Sequence, residues 1–229
     1  MNVVSFSGGK DSTAMLLMML EKSIPVDRVI FVDTTKEFPA MYAHIAKVQA
    51  MCSVEIEKVE IDFDYWFSEC PKRNEKFGKF GYGWPDFRIR WCTHLKKVAV
   101  KKTQEMIKSD NYMQYHGIAY DERKRCKNDK NVSYPLVDWE ITERQALEYC
   151  YSKGLDWGGL YEKFARVSCW CCPLSRIAEL RTLYTGFPEL WVKLIEMDKK
   201  SVRKFRPDYS VAELSEKFYR ESQIQTLWQ

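Results

Sequence analysis

Residues 3–20 read VVSFSGGKDSTAMLLMML, and this stretch decides the fold. Val3 to Phe6 is short and rich in β-branched and aromatic side chains, the composition of a buried strand. From Thr13 to Leu20 the run is apolar again and long enough for a helix. Between them lies the polar turn Ser7-Gly8-Gly9-Lys10-Asp11-Ser12. A polar turn between strand and helix is where an open α/β sheet places its ligands.

The pattern repeats outward from there. Val29 to Val32 reads as a second buried strand ending at Asp33-Thr34-Thr35. A helix is expected from Pro39, with Met41, Ile45, Val48 and Met51 on one face, because proline suits a first helical turn. Val54 to Val59 alternates and reads as a third strand. Strand alternating with helix predicts an α/β fold with a doubly wound, mainly parallel sheet. Residues 62–88 are rich in aromatics, glycine and lysine, and read either as a long loop or lid or as an ordered insertion packed on the core. A helix from Ile89 to Met106 and a strand from Tyr112 to Gly117 come next. The expected division is an α/β domain over residues 1–140 and a helical part over 141–229. The helical tail from Phe187 reads as amphipathic packing rather than a nucleic-acid arm.

Composition sets the outer limits. The chain has 229 residues, is 45% hydrophobic and carries a net charge of +4, so it can bury a full core and tolerates an anionic partner without requiring one. No stretch approaches the ~18 apolar residues of a membrane span. The N-terminus enters a strand at once and lacks the pattern of a signal peptide, so a cytoplasmic protein is expected. Eight cysteines in that compartment point away from a disulfide framework and towards buried thiols, a metal or catalysis.

The glycine turn has the chemistry of a phosphate cradle. Gly8 and Gly9 let backbone N–H groups approach an anion, and the next helix adds positive potential. Ser7 and Ser12 offer hydroxyls, and Lys10 a mobile charge. A Walker A loop would have Ser or Thr after the lysine, whereas here Asp11 stands in that place. An aspartate beside a polyphosphate points to a Mg²⁺ between them.

Ser7 to Ser12 after a strand resembles the PP-loop signature of the ATP pyrophosphatases. "FVDTTKEFPAMY", "RWCTHLKK", "GIAYDERKR", "YPLVDWEITERQALEYC" and "SCWCCPL" resemble, in order, motifs of the phosphoadenosine-phosphosulfate (PAPS) reductase family. The resemblance spans roughly residues 2–175. It implies an adenine nucleotide α-hydrolase-like sheet, with Ser7, Gly8, Gly9, Lys10, Asp11 and Ser12 binding the phosphates of ATP, Lys10 and Asp11 catalytic, and Asp33 beside the nucleotide. Arg123 and Arg125 are candidate phosphate contacts, since guanidinium forks suit phosphate oxygens, or else part of a solvated charge run. Arg90, Lys96 and Lys97 are weaker candidates.

Reductases of this family use a C-terminal cysteine, whereas this chain has none after Cys172. They also usually depart from Gly-Gly-Lys-Asp-Ser, which adenylating members keep. The expectation is therefore α–β cleavage of ATP with transfer of AMP to an acceptor, in sulfur transfer or nucleic-acid modification. Alternatives are a sulfate adenylyltransferase small-subunit-like enzyme, a sulfonucleotide reductase-like enzyme, and a non-catalytic nucleotide-binding component of a larger complex. The implied partners are ATP, a nucleic-acid or small-molecule acceptor and a partner protein, with no membrane.

Cys169 and Cys172 form a C-x-x-C, a spacing that lets two thiolates reach one metal, and Cys171 adds a thiol. Iron–sulfur members of the family join an upstream cysteine motif to a downstream C-x-x-C. This implies Cys92 as a further ligand, with Trp91 standing where one cysteine of the reductases' upstream pair would be. A [4Fe–4S] cluster, a Zn²⁺ ion and plain buried or redox thiols are all open readings, and His94 is either a zinc ligand or a surface histidine. Cys52, Cys70, Cys126 and Cys150 read as structural. Trp84, Trp91, Trp139, Trp157 and Trp170 fall near the motifs and are candidates either for base stacking or for core and lid.

Overall fold

The structure, a computed structural model, describes residues 1–72, 78–105 and 112–227. Val3, Val4 and Phe6 are buried in strand β1 (Asn2–Phe6), which has a parallel neighbour on either side. Its partners are β2 (Arg28–Asp33) and β4 (Met113–His116). β3 (Ile56–Glu60) and the two-residue β5 (Val132–Ser133) complete a five-stranded sheet of order β3-β2-β1-β4-β5. All of its pairings are parallel. The chain winds outward from β1 to β3 on one side and through β4 to β5 on the other. This is the doubly wound sheet expected from the sequence, and its switch point lies between β1 and β4.

α1 (Lys10–Glu21) starts three residues before the apolar run does, so Lys10 and Asp11 stand on its first turn. Thr13 to Leu17 and Met19 are all buried, as the sheet and further helices cover it. α2 (Pro39–Met51) begins at the expected proline. Its buried face is Met41, His44 and Val48, whereas Met51 is exposed. α3 runs Trp91–Glu105, and the expected end at Met106 lies outside the described residues. The strand expected to Gly117 stops at His116, and β5 is too short to show an alternating pattern.

Beyond these come α4 (Pro135–Asp138), α5 (Glu143–Ser152), α6 (Leu160–Lys163), α7 (Ile177–Gly186), α8 (Pro188–Lys200) and α9 (Val211–Leu227). Thr142 caps α5 with a capping box completed by Gln145, which satisfies N–H groups on both sides of the cap.

The chain forms two compact units. One comprises Met1–Asp33, Glu37–Ile61 and Lys96–Ser168, and holds the sheet. Its core includes Val3, Val4, Leu16, Met19, Val29 and Ile30. The other comprises Thr34–Lys36, Asp62–Leu95 and Cys169–Gln229. There Phe67 and Phe205 meet the buried Trp84 edge-on, at 4.7 and 4.9 Å between centroids, and the Trp84 indole donates to Asp198 at 2.7 Å. The described part of residues 62–88 is therefore an ordered insertion, built around a π-helical turn at Tyr65–Glu69, and Phe63, Phe67 and Trp84 form its buried core. α8 buries Leu190, Trp191, Leu194 and Met197, the packing face expected of an amphipathic tail.

Candidate nucleotide site and cysteine turn

Phe6 pairs with Phe31, so the chain leaves β1 into Ser7 and Gly8 beside the end of β2, where Val32 and Asp33 lie. Gly8 is left-handed (φ +76°), and a Cβ there would fall 2.6 Å from the Met41 sulfur; glycine is what lets the chain turn here. Ser12 Oγ accepts from Ser7 N at 3.1 Å and donates to Gly9 O at 3.0 Å, and it also lies 3.0 Å from Ser7 Oγ. The two serines thus brace the turn internally and hold the N-terminus of α1 beyond it.

Residues far along the chain fix the same turn. The indole of Trp157 donates to Gly8 O at 2.8 Å, and Tyr161 Oη accepts from Lys10 N at 2.9 Å. Cys150 Sγ donates to Lys10 O at 3.5 Å, and burial pushes its thiol up to about 12. His44 stacks on Trp157 with centroids 4.1 Å apart, and its Nε2 lies 3.0 Å from Thr13 Oγ1. Burial holds the His44 imidazole down at about 4, and the Lys47 ammonium adds to this. Across the switch point Gly117 touches α1 directly: a Cβ there would meet Ser12 Cα and N at 2.7 Å.

Lys10 Nζ lies 3.1 Å from Asp11 Oδ2 and 3.3 Å from Glu143 Oε2. Asp11, Glu122 and Glu143 offer carboxylate oxygens within 4.8 Å of one another. Asp11 Oδ1 is buried without a hydrogen-bond partner. Burial pushes the Asp11 carboxyl up to about 6, against the pull of the Lys10 ammonium. A hard divalent cation with oxygen ligands fits this donor set, and it would relieve a carboxylate packed against two others.

The other candidates in this unit fare differently. Asp33 is buried at the end of β2, its carboxylate accepting from Tyr42 Oη at 2.9 Å and paired with Lys58 at 2.8 Å. Arg123 and Arg125 sit on an exposed 3₁₀ turn, Tyr120–Arg125, that also carries Glu122. Arg123 lies over the Tyr120 ring, 4.6 Å from its centroid, and Arg125 pairs with Glu122.

Cys92, Cys169, Cys171 and Cys172 all belong to the second unit. Cys169 Sγ lies 3.3 Å from Thr34 Oγ1, and Trp170 N donates to Lys36 O at 3.0 Å. Cys172 N donates to Cys169 O at 3.3 Å, closing the turn, and Cys171 is buried. Arg206 clamps the segment just after the cysteines by donating to Pro173 O at 2.6 Å and Ser175 O at 2.7 Å. Among the described residues, the thiols do not form a group of three within 4.8 Å of one another. A single tetrahedral zinc with Zn–S near 2.3 Å would hold its sulfurs about 3.8 Å apart. Ligands of a [4Fe–4S] cluster sit farther apart, because each binds a different iron.

Sequence alone does not single out Trp157, Tyr161, His44, Glu122, Glu143, Gly117 or Arg206 as site residues. It marks Trp157 only by its place near a motif, and Gly117, Glu122 and Glu143 by lying within one. The stacking role is excluded for Trp84, Trp91, Trp157 and Trp170, all at most 7% exposed.

Several known proteins are similar to this chain. Two uncharacterized proteins of Methanocaldococcus jannaschii are 26% and 27% identical over 83% and 86% of this chain, and over 40% and 47% of their own length. An uncharacterized nin region protein of Escherichia phage lambda is 27% identical over 61% of this chain and 56% of its own. The chain thus spans about half the length of these relatives. Among solved structures, the U34-tRNA thiolase NcsA from Methanococcus maripaludis with its [4Fe–4S] cluster is similar over 96% of this chain and 70% of its own, at 16% identity and a TM-score of 0.45. That likeness is too loose to carry residues across. The phosphoadenosine phosphosulfate reductase domain matches residues 1–175, about three quarters of the sequence, and this chain belongs to that family.

Proposed function

We propose that the chain is a PP-loop enzyme that cleaves ATP between its α and β phosphates and transfers AMP to an acceptor, in nucleic-acid modification or sulfur transfer. The observation that carries this reading is the buried, unpartnered Asp11 Oδ1 beside Glu122 and Glu143, at the head of a helix whose preceding turn is shaped by Gly8. A phosphate cradle followed by a cation site is what a Mg²⁺–polyphosphate substrate requires.

Ser7 to Ser12 and the start of α1 would bind the phosphates, and Lys10 would lie against the departing pyrophosphate. A nucleophilic oxygen, nitrogen or sulfur of the acceptor attacks the α-phosphorus. The bond to the bridging oxygen breaks, and pyrophosphate leaves with both electrons. Such a reaction asks for positioning and charge stabilisation rather than a protein nucleophile. Asp11, Glu122 and Glu143 would hold Mg²⁺, which when bound neutralises charge on the phosphate oxygens. Asp33 is proposed as a nucleotide-side group. Arg123 and Arg125 are proposed as phosphate contacts, Arg125 exchanging its Glu122 partner for the ligand.

Cys92, Cys169, Cys171 and Cys172 are proposed as ligands of an iron–sulfur cluster. The C-x-x-C turn with a further thiol in the same unit fits thiolate ligation. The test of the whole reading is direct. Purified protein is incubated with ATP, Mg²⁺ and total RNA, and the products are separated by ion exchange. AMP and pyrophosphate in equal amounts are expected, free or with AMP on the acceptor. ADP and phosphate, or no turnover, would contradict it.

A further inference from the structure

Between two buried tryptophans of the second unit, the chain turns outward. Trp84 and Trp91 are 1% and 7% exposed, whereas Phe87, Arg88, Ile89 and Arg90 are all exposed. At 73%, Phe87 is the most exposed large hydrophobic among the described residues, and Ile89 is 41% exposed.

The base of this turn is firmly built. Asp86 Oδ1 accepts from the N–H groups of Arg88 at 2.7 Å and Ile89 at 2.6 Å, while its other oxygen pairs with Arg203. Trp84 is held through its backbone N–H by Ser201 and through its indole by Asp198. The Trp91 indole donates to Gly83 O at 3.0 Å, and His94 N donates to Arg90 O at 3.0 Å. An exposed apolar ring on so fixed a support loses little conformational entropy on binding.

The charge around the ring is positive. The Arg90 guanidinium lies 5.7 Å from the Phe87 centroid, and Arg88 stands exposed next to the ring in sequence. Residues 87–95 contain no acidic side chain, and Asp86 is committed to Arg203. One aromatic face flanked by two guanidinium groups matches an unpaired nucleotide: the base stacks on the ring and the phosphates meet the arginines. Phe87 and Ile89 together offer far less apolar area than the ~1,000 Å² of a stable protein interface.

We propose that Phe87, Arg88 and Arg90 form a contact site for a single-stranded polynucleotide, with Phe87 as the stacking platform. The site extends the proposed ATP reaction by assigning its acceptor to nucleic acid, and rests on that reaction only for its role in it.

The test is fluorescence anisotropy of the full chain with labelled oligoadenylate of about 12 nucleotides, a length within the site sizes of single-strand binders. The same sequence as DNA and as an RNA duplex with oligouridylate serve as further arms. Single-stranded RNA and DNA are both expected to bind more tightly than the duplex. Phe87→Ala should weaken single-strand binding about 5- to 150-fold, the range for one lost base–aromatic stack. Phe87→Tyr should restore it. Arg88→Gln with Arg90→Gln should flatten the dependence of log affinity on log salt by about 1.4, near 0.7 per phosphate contact on a single strand. Because these side chains are exposed, the melting temperature and its rise with ATP should not change.

Wild-type affinity in Phe87→Ala, or equal binding of duplex and single strand, would overturn the proposal. So would a wild-type dimer in sedimentation that Phe87→Ala dissociates, since the ring would then serve a second copy of the chain. Strand binding without AMP formation would refute the ATP reading alone. AMP formation without strand binding would refute this site alone.

Discussion

Replacing Gly117 with alanine tests the junction between sheet and loop. A Cβ at this position would stand 2.7 Å from both Ser12 Cα and Ser12 N and 2.9 Å from Asp11 C. These are backbone atoms at the start of α1, so no side chain can rotate away. Either β4's exit or the first turn of α1 must shift, and overpacking of this kind costs about 1–3 kcal/mol. For a chain of this length that is a fall in melting temperature of roughly 2–12 °C. The second consequence is functional. Asp11 and Lys10 ride on the turn that must move, so pyrophosphate release should fall by about tenfold or more, as small misplacements of reacting groups do. Gly186→Ala is the matched control, because nothing lies within 4 Å of a Cβ at that helix end. It should leave both quantities essentially unchanged or raise stability slightly. The assay pairs differential scanning fluorimetry with a coupled pyrophosphate assay. A Gly117→Ala protein that melts and turns over like wild type would refute the close approach of β4 to α1.

Trp157→Phe keeps a ring against His44 but removes the 2.8 Å bond to Gly8 O, so it should cost about 1–2 kcal/mol and reduce the ATP-induced melting shift; unchanged values would detach Trp157 from the loop. The buried His44 is held near 4, below its ordinary 6.5, so the unfolded state takes up its proton first. Its contribution, up to about 3 kcal/mol, should be complete above pH 6.5 and be lost as pH falls from 6.5 towards 4. Urea midpoints for wild type should therefore fall more steeply over that window than those of His44→Phe, and parallel curves would show that His44 titrates normally. Anaerobically prepared protein should be brown, and serine at Cys92, Cys169 or Cys172 should bleach it and lower stability; colour retained in all three variants would remove these thiols from the ligand set.

The strands, the helices and the glycine turn between β1 and α1 were legible because their signals are local. Val3 to Phe6 followed by Ser7 to Ser12 states a strand, a turn and a helix start within one short window, and Val29 to Asp33 repeats the first part. What was not legible arises from contacts distant in sequence. Trp157 and Tyr161 reach the loop across about 150 residues, and the sequence marks Trp157 only as lying near a motif. Glu122 and Glu143 gain meaning only because the exit of β4 and the start of α5 meet Asp11. Burial was left open, or for Met51 misjudged, where composition was ambiguous. The tryptophans beside basic residues are core, while Phe87, flanked by a similar charge, stands out in solvent. Met51 fits the helical period of α2 but falls at its last turn, past the edge of the core, and His44 takes a place on the buried face.

The central claim is that ATP is cleaved at the loop Ser7 to Ser12. The most direct measurement is the yield of AMP and pyrophosphate from ATP and Mg²⁺, with total RNA as acceptor, for wild type, Lys10→Ala and Asp11→Ala, each checked for folding by circular dichroism. Wild type should release both products in equal amounts, and either substitution should reduce release at least about 100-fold in a folded protein, on the scale of losing a charged group that stabilises the transition state. Turnover near the wild-type rate in both folded variants would contradict the assignment of this loop.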